Sequence, residues 1–129
     1  MAITFNHTIV AARDRAESAA FFTDLFGLPA ALEFGPFLAV TLNHGVSLDY
    51  AQAPDGTEIT PQHYAFLVSE DEFEGIYGRI NARGLQHWAD PHGRHPGEIN
   101  HHDGGRGVYF QDPSGHYLEI ITRPYGSGT

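Results

Sequence analysis

The chain has 129 residues, a length that suits one compact domain with a single main core. Its make-up, 41% hydrophobic and 18% charged, is ordinary for a globular protein, and its formal net charge of −9 argues against nucleic acid and anionic membrane surfaces as partners. The absence of cysteine excludes disulfides, zinc–thiolate sites, iron–sulfur clusters and a cysteine nucleophile, and with no apolar run near about 18 residues and no basic-then-apolar start, neither a membrane span nor a signal peptide is expected, which points to the cytoplasm.

Taken in order, Ile3 to Val10 predicts a strand, with Phe5, His7 and Ile9 on one face and Thr8 and Val10 on the other. Asp14 is placed to cap a helix, with Glu17 as its capping-box partner. Ala19, Phe22, Leu25 and Phe26 recur at helical spacing, and Gly27 ends the run. Three short strands follow, over Ala30–Phe34, Phe37–Leu42 and Val46–Tyr50, broken at Gly35-Pro36 and at Asn43-His44-Gly45. This is a βαβββ unit.

Ala53 to Thr60, with Pro54, Asp55 and Gly56, reads as a linker. The order of elements then repeats. Gln62 to Ser69 predicts a strand, with His63, Ala65 and Leu67 on one face and Tyr64, Phe66 and Val68 on the other. Ser69 or Asp71 caps a second helix whose inward residues are Phe73, Ile76, Tyr77 and Ile80, and Gly84 ends it. Leu85–Ala89 is a short strand, and a long polar loop runs from Asp90 to Gly107, of a length that is often functional. The segment after Thr122 is expected to fray. The reading is thus one domain over 1–129, with module one at about 1–52 and module two at about 61–124.

The stretch from Asn100 to Glu119 carries the most chemistry. Asp112-Pro113-Ser114-Gly115 is a turn signal between the apolar runs Val108-Tyr109-Phe110 and Tyr117 to Thr122, so a β-hairpin is predicted. In its second strand Tyr117, Glu119 and Ile121 share one face. A carboxylate within an apolar strand is costly unless it meets water or a cation. The nine histidines of the chain make a metal ion a reasonable cation.

Asn100, His102, Val108, Tyr109, Asp112, Pro113, Gly115 and Glu119 together resemble the signature of type I extradiol ring-cleavage dioxygenases. The Asp-Pro-x-Gly…Glu half also occurs across the wider vicinal oxygen chelate superfamily, which includes glyoxalase I, fosfomycin-resistance thiol transferases and bleomycin-binding proteins. His63-Tyr64-Ala65-Phe66 before an acidic helix start is similar to the fosfomycin branch. The resemblance spans roughly Ile3 to Arg123. It implies an α+β fold in which two βαβββ modules form curved mixed sheets around a metal-binding cavity.

By the same resemblance, His7, His63 and Glu119 stand where the superfamily holds a divalent metal. Two neutral imidazoles and a carboxylate occupy one face of the ion and leave the opposite face open. His102 and Tyr109 take the places of the dioxygenase residues beside that open face, where an imidazole can exchange a proton near neutral pH and a phenol can hydrogen-bond substrate. As a plain reading, His102 is one surface histidine among His92, His95 and His101, and Tyr109 a core aromatic with its hydroxyl at the rim. Glyoxalase I relatives add a Glu on the last strand of module one. Here Ser47 stands nearest that slot and Asp49 two residues on, one methylene shorter, which weakens that branch. Asp49 reads equally as a solvated hairpin-end carboxylate.

Two departures bear on the reaction. The acid–base His of the dioxygenases has no counterpart, since Asp49 stands near its place, and most such enzymes are about twice as long. All seven basic residues are arginine, and only Arg123 follows Glu119, which disfavours a phosphonate pocket. The expected function is a divalent-metal enzyme acting on a small oxygen-chelating molecule, foremost an extradiol-type dioxygenase using Fe(II). A glyoxalase-like lyase or isomerase using Mn, Ni or Zn, or a thiol transferase, is the alternative. A bleomycin-resistance-like binding protein without turnover is the third reading. A homodimer is implied; whether the cavity closes within one chain or across two stays open.

Overall fold

The computed structural model describes residues 2–128. The chain divides into two compact units, Met1–Thr60 and Pro61–Thr129. Unit one runs β1 (His7–Ala12), α1 (Arg15–Phe26), β2 (Leu32–Phe34), β3 (Phe37–Thr41) and β4 (Ser47–Gln52). Unit two runs β5 (His63–Leu67), α2 (Glu70–Ala82), β6 (His87–Trp88), β7 (Gly107–Gln111) and β8 (Tyr117–Ile121). Each unit holds a four-stranded mixed sheet, ordered β1-β4-β3-β2 in one and β5-β8-β7-β6 in the other. In both, the first strand pairs parallel with the last and the remaining pairs are antiparallel. The fold is α+β, with the predicted βαβββ order in each half.

Strand limits follow backbone pairing rather than the apolar pattern. β1 begins at His7, not Ile3, because its partner β4 begins at Ser47, and Ile3 and Phe5 are left exposed. At the other end β1 and β4 continue to the Ala12–Gln52 pair. The turn at Asn43–Gly45 is a short 3-10 segment in which His44 takes φ 62°, a conformation costly for a side chain with a Cβ.

Both helices start at a predicted cap, but Glu17 does not return the side-chain bond that would complete the capping box expected at Asp14. Asp14 accepts from the N–H groups of Ala16 and Glu17, and Gly27, at φ 70°, closes α1. Ser69 caps α2 in a complete capping box with Glu72. Phe22 and Leu25 of α1 are buried with Val10, Ala12, Val40, Leu48 and Tyr50, which forms the core of unit one. Phe26 is only half-buried and stacks on Phe22, with ring centroids 4.0 Å apart. In unit two the buried set is Phe73, Ile76 and Ile80 of α2 with Val108, Phe110, Leu118 and Ile120. Arg106 ties this helix to the start of β7: its guanidinium lies 4.5 Å from the Phe73 ring centroid and bonds Glu70 at 2.8 Å.

The opposite face of β1 and β5 is open. His7 and Ile9 alternate with buried Val10 and Ala12, and His63, Ala65 and Leu67 are exposed in the same way. The polar loop Asp90–Gly107 is more ordered than its composition suggests. The Asp90 carboxylate accepts from the N–H groups of His92, Arg94 and His95, and bridges join Trp88 to Pro96 and Asn100 to Gly107. Among the described residues no helix is long and apolar enough to cross a membrane.

Candidate active site

Strand register brings the site together in unit two. β5, β8 and β7 lie side by side, so Ala65, Glu119 and Tyr109 stand in one row and His63, Tyr117 and Gln111 in the next. Glu119 is 1% exposed, so its carboxylate is out of water. Such a group needs donors or a cation. His63 Nε2 lies 3.0 Å from Glu119 Oε1. The other oxygen, Oε2, accepts from the Tyr125 hydroxyl. Tyr125 spends its one proton there, so the 2.9 Å contact with Tyr109 has the Tyr109 hydroxyl donating to the Tyr125 oxygen.

Burial, above all, pushes the Tyr109 hydroxyl above the usual phenol range, and the neighbouring Glu119 adds to it. Burial and the bond to Glu119 do the same to Tyr125, more strongly. Both phenols are therefore protonated donors at neutral pH. The Tyr109 ring also stacks on the His63 ring at 6.0 Å, which holds the imidazole against the carboxylate.

Next to this pair is an open cleft of about 470 Å³. Trp88, Tyr109 and Tyr117 give it aromatic walls, Gln111 a polar group, and Pro91, His92 and Gly93 an edge from the loop. Tyr109 is common to the cleft and to the hydrogen-bonded group around Glu119.

The donor set fits part of a divalent metal site. Two ligands about 2.1 Å from one ion and at a right angle to it stand about 3.0 Å apart, which is the observed spacing of His63 Nε2 and Glu119 Oε1. A metal ion there would take the place of the proton they share. Among the described residues, no three His, Asp or Glu side chains converge as a set able to hold a metal. His7 belongs to unit one, at the exposed start of β1. Its Nδ1 is 2.6 Å from Asn6 Oδ1, and an acceptor there favours the tautomer that leaves Nε2 with its lone pair.

A family model described as Glyoxalase/Bleomycin resistance protein/Dioxygenase superfamily matches residues 4–120. The chain belongs to this superfamily. The structure named Oxidase ChaP-H2 is 60% identical, with a TM-score of 0.95 over 100% of both chains. Oxidase ChaP-H1 is 58% identical, with a TM-score of 0.93 over 97% of this chain and 99% of that one. Glutathione transferase FosA of Serratia marcescens is 30% identical over 124 residues, which covers 91% of this chain and 79% of that protein.

The structure brings His63, Glu119 and Tyr109 together in unit two. His102 sits one step further out. It is exposed at the start of a 3-10 turn, and its ring meets Tyr125 edge-on at 6.1 Å rather than Glu119. Asp49 is not a solvated hairpin-end carboxylate: it is 7% exposed and accepts from Ser47 Oγ at 2.8 Å. By register Asp49, rather than Ser47, is the unit-one counterpart of Glu119. Asp49 pairs with Ile9 as Glu119 pairs with Ala65, whereas Ser47 pairs with His7 as Tyr117 pairs with His63.

Tyr125 escapes the sequence reading because it lies beyond the last strand, where fraying was expected. The segment is instead tied down. Thr122 bonds Arg106, and Asp103 accepts from the N–H groups of Gly126 and Gly128. The available signal was a single aromatic residue among Pro, Gly and Ser, six positions past Glu119.

Proposed function

We propose that the chain is a divalent-metal-dependent enzyme acting on a small oxygen-chelating molecule, foremost an oxidase of the extradiol ring-cleavage dioxygenase kind, with Fe(II) as the favoured metal. The observation that carries the reading is the buried Glu119 carboxylate 3.0 Å from His63 beside an aromatic-walled cleft. His63, Glu119 and His7 would be the ligands. A bound divalent ion would supply a positive centre for two substrate oxygens and for dioxygen.

The remaining work falls to the chain itself. Trp88, Tyr109 and Tyr117 would sandwich a planar substrate in the cleft. Tyr109, protonated at neutral pH, would donate to a substrate oxygen when released from Tyr125. His102, exposed beside Tyr125, would exchange protons with the substrate or solvent at the rim. The 58–60% likeness to two structures named oxidases favours oxygen chemistry over lyase or thiol-transfer chemistry. The transferase reading draws on the 30% likeness to FosA. Against it, Arg123, the one cation after Glu119, is turned to Ser127 O. Exposed Ile9, Leu32 and Phe34 on unit one support a homodimer, and a cytoplasmic setting suits a cysteine-free chain.

The test is the metal content of protein purified without chelator, followed by anaerobic loading with Fe(II) and oxygen uptake with a panel of catechols. Iron near one per chain with oxygen consumed into ring-opened product supports the dioxygenase. Nickel, zinc or manganese, with turnover independent of oxygen, moves the reading to the lyase or transferase. No metal bound even on titration leaves the binding protein.

A further inference from the structure

The two oxygens of Glu119 face different partners, and the second partner belongs to a segment with its own fastening. Tyr125 is carried by the stretch Thr122–Gly128. Asp103 accepts from Gly126 N at 3.1 Å and from Gly128 N at 3.0 Å, so one carboxylate clasps two points of that stretch. Asp103 itself takes φ 56°, an unfavourable conformation for any residue with a Cβ, in the same 3-10 turn as His102. The approach is close enough to demand glycine. A Cβ on Gly128 would lie 2.4 Å from Asp103 Cα, and one on Gly105 would lie 2.5 Å from Thr122 Oγ1. A strained residue, a double backbone clasp and two obligatory glycines all serve to place one phenol.

We propose that Tyr125 is a positioning residue for Glu119: its hydroxyl occupies Oε2, so that only Oε1, on the His63 side, is presented to a metal ion, and the Asp103 clasp holds it there. A buried carboxylate with both oxygens free can swing or bind an ion through both. A neutral hydroxyl donor fixes its rotation without cancelling its charge, as an arginine would. The charge is thereby kept for the cation. This inference rests on the reading of His63 and Glu119 as metal ligands.

Titration of metal-free full-length protein with Co(II), followed by calorimetry and by visible absorption, tests it. Tyr125→Phe keeps the ring and removes the hydroxyl. It should weaken Co(II) binding about 10–100-fold, the range for loss of a ligand's hydrogen-bond partner, and change the ligand-field bands as Glu119 reorients. Gly128→Ala keeps the hydroxyl and breaks the clasp; it should change the same bands with a smaller loss of affinity. A thermal melt checks that each variant is folded. Tyr125→Phe with wild-type affinity and wild-type bands overturns the positioning role while leaving the ligands standing. Unaltered Co(II) binding by Glu119→Gln, or no Co(II) uptake by the wild type, removes the ligand reading and this inference with it.

Discussion

The two units use one scaffold to different ends. In each, the first strand lies parallel to the last, with a histidine at the first register position and a carboxylate two residues on in the last strand. In unit two the carboxylate is Glu119, which reaches His63 and Tyr125. In unit one it is Asp49, one methylene shorter, which is satisfied by its own strand neighbour Ser47. Where unit two has Tyr117 beside the histidine, unit one has Ser47. The segments after the last strands differ as well. After β8 the chain delivers Tyr125 to the carboxylate, whereas after β4 it returns to Ala12 and Arg13, through the bonds of Ala53 N to Ala12 O and of Arg13 to Thr57 O. Side-chain length and the route of the following segment, rather than the strands, decide which partners each carboxylate meets.

The widest gap should come from neutralising each carboxylate in turn. Glu119→Gln keeps the shape and removes the charge shared with His63. It should lower divalent-metal affinity by at least about a hundredfold, beyond the usual effect of an outer-shell change. Asp49→Asn should change affinity by less than about tenfold, because Asn still accepts from Ser47. Equal losses measured by calorimetry would mean that Asp49 serves as a ligand in its own right.

Much of this was legible from residue order. The βαβββ repeat, both helix N-caps, Gly27, the hairpin at Asp112–Gly115 and the shared face of Tyr117 and Glu119 follow from local chemistry and from period two. What was not legible depends on distant partners. The burial of Asp49, the true start of β1 and the fastening of Tyr125 each need a neighbour that no local pattern names: Ser47 and its register, the start of β4, and Asp103 held at positive φ. A segment of Pro, Gly and Ser reads as frayed because its hydrogen bonds go to a turn some twenty residues back in the chain.

The cores offer the next comparison. Phe22 and Phe73 are both fully buried, and replacing either with Ala should cost about 3–5 kcal/mol of unfolding free energy. Phe22 rests on Phe26, whereas Phe73 rests on Tyr77 and under the Arg106 guanidinium. Phe73→Ala should therefore also loosen the start of β7, next to Tyr109. Amide hydrogen exchange would register this as faster exchange at Gly107 and Val108; loss confined to the helix would show that Arg106 is held by Glu70 and Glu74 alone.

Within unit two, the phenols can be ranked. Tyr109 reaches Glu119 by way of Tyr125 in the hydrogen-bonded chain, and the carboxylate also bears directly on its ionisation. Tyr109→Phe should weaken metal binding by only a few-fold, about 1 kcal/mol, as for a neutral hydrogen bond. In the double variant with Tyr125→Phe the losses should not add, because the two hydroxyls form one chain to the same oxygen. Strict additivity in calorimetric titrations would mean that each acts on the site separately.

The helix caps are the smallest contrast and test whether the two units are equally well begun. Asp14 accepts two N–H groups at 3.1 and 3.2 Å. Ser69 accepts from Glu72 N at 3.1 Å, and the Glu72 side chain returns a bond to Ser69 N at 2.8 Å. Asp14→Ala and Ser69→Ala should each cost about 1 kcal/mol, within the range for lost N-caps. Asp14 also brings a negative charge to the positive end of its helix, so its loss should shrink as salt is added, while the loss at the uncharged Ser69 should hardly change. Denaturant titrations at low and high ionic strength separate the two. If both losses were insensitive to salt, the Asp14 cap would act by geometry alone, and the two helix starts would be equivalent in kind as well as in position.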